Sequence, residues 1–105
     1  MKIVAVYTTV ASLEDARLIA KTLVERKLVA CAQISAIESF YTWKGEVQND
    51  QEFRLLLKTT EARYKDVEAA VLDLHSYELP AIYSVAFEHV YEPYAAWGEE
   101  CSAGE

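Results

Sequence analysis

Residues 29–59 read VACAQISAIESFYTWKGEVQNDQEFRLLLKT. From Val29 to Trp43 there is neither Pro nor Gly, and the segment ends in the β-favouring run Ser39-Phe40-Tyr41-Thr42-Trp43. Lys44-Gly45-Glu46 supplies a short turn, with Gly45 free to take positive φ. Glu46 to Thr59 returns as a second strand, in which Phe53, Leu55 and Leu57 alternate with Arg54, Leu56 and Lys58. The stretch is therefore a long β-hairpin. Each arm holds about 14 residues, or about 45 Å at roughly 3.3 Å per residue.

Upstream, Lys2 to Thr9 is a strand apolar on both faces, as central strands are. Ser12 caps a helix predicted over Leu13 to Lys27, with Glu14 and Asp15 at its positive end and Leu13, Ala16, Ile19, Ala20, Leu23 and Val24 on one stripe. Downstream, Thr60 is the expected cap of a second helix carrying Tyr64, Val67, Val71 and Leu74 and ending near His75. After Pro80, a fourth strand is predicted from Ala81 to Tyr91, with Tyr83, Val85 and Phe87 on one face. Pro93 suits the first turn of a short last helix with Tyr94 and Trp97. The expectation is one domain over residues 1–98 and a polar, frayed tail over 99–105. The order β-α-β-β-α-β, then a short helix, predicts an α+β, ferredoxin-like sandwich: a four-stranded antiparallel sheet with both long helices on one face.

The hairpin is too long for such a domain. A 15-residue helix covers only about 22 Å, so Phe40, Tyr41 and Trp43 overhang it. Bare aromatics on a two-stranded ribbon are an aggregation hazard, which a second copy of the chain removes. The alternative is a bulge that bends the ribbon back over its own domain. Val4, Val6, Ala30, Ala32, Leu56, Ile82 and Ala86 are expected on the helix-free face, a second surface calling for a protein partner.

Composition narrows the function. The 105 residues carry 17 acidic and 10 basic side chains, a formal charge of −7, which disfavours nucleic acid and anionic membranes as partners. No apolar run is long enough to span a bilayer, and MKIVAVYTTV does not read as a signal peptide. Cys31 and Cys101 do not read as a disulfide pair, so a reducing, cytoplasmic setting is expected. Glycine-rich phosphate loops, Cys-x-x-Cys and the strand-three aromatics of RNA-binding modules are absent, and no Ser-His-Asp or Cys-His order suggests an enzyme.

Three residues stand out. Cys31 reads as a small buried hydrophobe or as a thiol in need of a partner. His75 reads as a group at the helix's negative end or as a ligand in a cleft beside Tyr77 and Glu78. Lys58, a cation in an apolar strand, needs an acid or a bound anion, and Glu52 on the same strand is a candidate.

Leu28-Val29-Ala30-Cys31-Ala32-Gln33-Ile34, Ser39-x-Tyr41-x-Trp43-Lys44-Gly45-Glu46, Glu52, Leu57-Lys58-Thr59 and His75-x-Tyr77-Glu78-x-Pro80 together resemble the CutA divalent-cation-tolerance family, from about Ile3 to Trp97. The resemblance implies a ferredoxin-like fold assembled as a homotrimer, similar to PII-type signalling proteins with effector clefts between subunits. It implies a non-enzymatic role in tolerance of copper or another divalent cation. The family's proposed metal ligands fall here on Thr8, where some members carry Cys, and on His75, preceded by Leu74 and followed by Ser76. His75 and Cys31 are accordingly the candidate metal ligands, and Thr9, Tyr41, Trp43, Glu52, Lys58 and Tyr77 the candidate ligand cleft. The resemblance also leaves open a structural trimer that anchors or assembles other proteins.

Overall fold

The computed structural model describes residues 2–104. It consists of β1 (Ile3–Val10), α1 (Leu13–Glu25), β2 (Cys31–Trp43), β3 (Glu46–Thr60), one 3-10 turn (Glu61–Arg63), α2 (Tyr64–Leu74), β4 (Ile82–Ala86) and α3 (Glu92–Cys101). The strands form one antiparallel sheet in the order β2-β3-β1-β4. This is a mixed α+β fold with a four-stranded sheet and three helices.

Local chemistry sets most of the boundaries. The Ser12 hydroxyl accepts the Asp15 N–H at 3.1 Å, so α1 begins where its cap sits. Helix α1 stops two residues short of Lys27, because Lys27 takes φ 56° and the N–H groups of Lys27 and Leu28 return to the carbonyls of Val24 and Leu23. That is a Schellman closure made without glycine. At the hairpin, Lys44 (φ 52°) and Gly45 (φ 82°) form a two-residue turn between paired Trp43 and Glu46, the left-handed geometry that matches strand twist.

Thr60 does not cap α2. Its side chain makes no capping bond, and the 3-10 turn intervenes before the helix starts at Tyr64. Strand β4 is five residues long rather than eleven. Ala86 pairs with Val4 and the Phe87 N–H reaches the Ile3 carbonyl, so β1 runs out of partners there. The tail expected to fray is anchored. Helix α3 continues to Cys101, Ser102 is buried, its carbonyl accepts from Arg63 Nε at 3.0 Å, and the Gly104 N–H donates to the Lys27 carbonyl at 2.9 Å.

The core lies between the sheet and the helices α1 and α2. Val4, Val6 and Val10 of β1 and Leu55 and Leu57 of β3 meet Ala16, Ile19 and Leu23 of α1 and Val67, Ala70 and Val71 of α2. Register corrects the expected faces. Val4 and Val6 lie opposite Thr59 and Leu57, Ala32 opposite Leu57, and Ala86 and Ile82 opposite Val4 and Thr8, which puts all five on the helix side. The other side carries Ala5, Tyr7, Leu56, Tyr83 and Val85 by alternation. There Tyr7 stacks on Tyr83 at 5.5 Å, and α3 covers part of the surface: the Lys58 ammonium lies 3.3 Å from the Tyr94 hydroxyl.

Strand β1 ends with Val10 opposite Phe53, yet the β2–β3 ladder continues from Ile37–Glu52 to Trp43–Glu46 with no third strand beside it among the described residues. The molecule is 45 Å along its longest axis for this reason. The ribbon projects instead of folding back.

Candidate functional site

A cavity of about 580 Å³ opens where the ribbon leaves the sheet. Thr9 at the end of β1, Ser39, Tyr41 and Trp43 of β2 and Glu52 of β3 share one face of the strands by alternation, and Phe40 closes the rim. Tyr77, Glu78, Leu79 and Ala81, in the segment between α2 and β4, form the opposing wall.

His75 fixes that segment. The Tyr77 N–H donates to His75 Nδ1 at 3.1 Å, so the ring's proton resides on Nε2, which donates to the Thr9 carbonyl at 2.8 Å. The imidazole also lies 4.9 Å from the Tyr77 ring. Held in this way, the Tyr77 hydroxyl donates to Glu52 Oε2 at 2.6 Å, tying the wall to the ribbon. The Tyr41 hydroxyl donates to Asp50 on the neighbouring strand. Burial, then the bond to Glu52, raises the Tyr77 phenol well above its ordinary 10.0. The Tyr41 phenol is raised by its bond to Asp50 first, then by burial and by the charges of Asp50 and Glu52. Both shifts have an electrostatic source in common: carboxylates facing aromatic walls.

The structure brings Thr9, Tyr41, Trp43, Glu52 and Tyr77 to one cavity, with His75 immediately behind it. It places Lys58 and Cys31 elsewhere. These two lie opposite each other near the far end of the sheet, and four residues along β3 separate Lys58 from the partner of Thr9, about 13 Å. Lys58 is therefore not the partner of Glu52; it sits over the Tyr94 ring at 5.4 Å. Nor do His75 and Cys31 meet within one chain. Among the described residues no three His, Cys, Asp or Glu side chains are grouped to hold a metal ion, and both nitrogens of His75 are already bonded.

Ser39, Phe40, Leu79 and Ala81 line the cavity without being among the residues expected there from the sequence. Ser39 was accessible to a sequence reading, lying two and four residues before Tyr41 and Trp43 on the same strand face. Leu79 and Ala81 depend on how the segment after α2 turns, for which no periodic signal exists.

Residues 4–101 match the family described as CutA1 divalent ion tolerance protein. The divalent-cation tolerance protein CutA of Thermus thermophilus is 42% identical over 96 residues, which cover 90% of this chain and 93% of that protein. Its solved structure superposes with a TM-score of 0.91 over 95% of this chain and 98% of that one, at 40% identity. The solved CutA of Archaeoglobus fulgidus gives a TM-score of 0.93 at 35% identity, covering 95% and 98% of the two chains.

Proposed function

This chain belongs to the CutA1 divalent ion tolerance family, and from that premise we propose that it is a non-enzymatic homotrimer that serves the divalent-cation response by binding a small ligand in the cavity beneath its projecting hairpin. One observation carries the reading. Phe40, Tyr41, Trp43 and Val47 on the ribbon are 69%, 41%, 39% and 74% exposed in the single chain. A soluble protein covers such a surface with another protein, and sister chains are the simplest source of cover. The β-α-β-β-α-β order with the sheet order β2-β3-β1-β4 supports the ferredoxin-like assignment and the comparison with PII-type trimers, whose clefts lie between subunits.

A tight copper site does not fit these residues. Copper favours thiolate and imidazole together, whereas Thr8 stands in the thiol position, Cys31 lies outside the cavity and His75 has no free nitrogen. The cavity instead offers phenols, hydroxyls and carboxylates on apolar walls, the usual makeup of a small-molecule site. The free cysteines Cys31 and Cys101 support a cytoplasmic, reducing setting.

Native mass spectrometry tests the assembly. The expected species contains three copies of the 11.9 kDa chain; a stable monomer at micromolar concentration overturns the trimer. Copper(II) and zinc titrations followed by thermal melting test the site. Wild type and His75→Ala are expected to respond alike to metal, because His75 acts as a strap. A metal-induced rise in melting temperature confined to wild type would restore His75 as a ligand.

A further inference from the structure

We infer that the ligand of this cavity is a compact organic cation, an alkylammonium whose charge is met by Glu52 and whose apolar body lies among the rings of Tyr41, Trp43 and Tyr77. The inference rests on the reading of the cavity as a ligand site and adds the chemical class of the occupant.

The charge balance of the cavity points this way. Within one chain its lining includes two carboxylates, Glu52 and Glu78, and no basic side chain among the described residues. Glu52 retains only 7% of its surface exposed, yet its bonded partner among the described residues is a neutral phenol, Tyr77. A carboxylate taken out of water demands a cation or several donors. Neither of the strand's own cations provides one. Arg54, two residues along the same face, directs its guanidinium away from Glu52, over the Tyr7 ring at 5.7 Å, and Lys58 is held by Tyr94.

The walls then select among cations. A divalent metal ion is held chiefly by several converging carboxylates or imidazoles, and no three His, Cys, Asp or Glu side chains are grouped for one among the described residues. Aromatic rings attract an organic cation through their negative faces and bury its carbon at the same time. An anion would face Glu52 and Glu78 with no compensating group.

The test uses three probes with one apolar body: tert-butylammonium, tert-butanol and pivalate. Binding to the assembled protein is followed by the indole N–H signals of Trp43 and Trp97 in nuclear magnetic resonance, with Trp97, outside the cavity lining, as the internal control. The ammonium is expected to shift the Trp43 signal and to bind at least about tenfold tighter than the alcohol, with pivalate silent. Glu52→Gln, which keeps an acceptor for Tyr77, should bring the ammonium down to the level of the alcohol. Equal affinity for ammonium and alcohol, or a preference for pivalate, overturns the charge assignment while leaving the cavity as a ligand site. No Trp43 response to any probe removes the site and the inference together. If only Lys58→Met protein binds the ammonium, a sister chain's lysine already satisfies Glu52, and the inference fails.

Discussion

Strands β2 and β3 run the length of the molecule, and their two ends have opposite fates. At the sheet end Leu55 and Leu57 have no exposed surface, while at the hairpin end Phe40 and Val47 keep 69% and 74% of theirs. Residue chemistry does not distinguish the ends, since both carry large apolar side chains. Cover does. Helices α1 and α2 pack on the sheet beside β1, whereas beyond Val10 the ladder continues with no third strand beside it among the described residues, and the segment from Tyr77 to Ala81 faces one side of it across the cavity. Apolar side chains without an intrachain partner are a specification addressed to another molecule, and the cavity forms at the boundary between the covered and uncovered parts.

The sharpest way to break this contrast is to truncate one side chain in each part. Leu57→Ala is expected to lower chain stability by about 3 kcal/mol in urea unfolding, because a buried leucine leaves a cavity behind. Trp43→Ala should act on assembly instead, weakening subunit association by about 2 kcal/mol in sedimentation across a concentration series. If Trp43→Ala unfolds the chain and leaves the oligomer intact, the two ends are not different in kind.

The boundary itself is tested by Tyr77→Phe. Removing the hydroxyl leaves the Glu52 carboxylate without its donor, at an expected cost of about 1.5 kcal/mol. The variant also carries a pH signature. The Tyr77 phenol is raised above its ordinary 10.0 in the folded chain, so the stability it contributes is complete below pH 10. That contribution is lost as pH rises above this value, where the unfolded phenol ionises first. Wild type should therefore lose more stability than Tyr77→Phe above pH 10, and equal alkaline slopes would show that the bond to Glu52 is not made.

The smallest expected effect lies inside the covered end. The Thr8 hydroxyl is buried in the core with no hydrogen-bond partner among the described residues. Thr8→Val keeps the shape and removes the orphan, and should raise stability by about 1 kcal/mol in the same urea assay. A loss of stability would reveal a partner for the hydroxyl.

Much of this architecture was legible in the chain because it depends on neighbours in sequence. The Ser12 cap, the Lys44-Gly45 turn, the stripes Ala16-Ile19-Leu23 and Val67-Val71 and the length of the hairpin are all set within a few residues or by counting. The family too follows from short blocks at fixed spacing. The cavity was half legible: Tyr41, Trp43, Glu52 and Tyr77 stood out by type, but nothing local said which of them meet.

Tertiary structure decided the rest. A strand apolar on both faces does not declare which face the helices take, so Val4 and Val6 were assigned to the wrong side until register with β3 fixed their parity. Strand β4 ended early because β1 offered no further partners, and the polar tail was ordered by Arg63 and Lys27 from distant elements. Lys58 and Glu52 share a strand and look like a pair in sequence, yet six residues of extended chain hold them about 20 Å apart. His75 reads as a ligand until both its nitrogens are seen bonded to backbone. Periodicity and turns are short-range properties carried by the sequence itself, whereas pairing, parity and the sign of charge in a cavity exist only after remote segments have met.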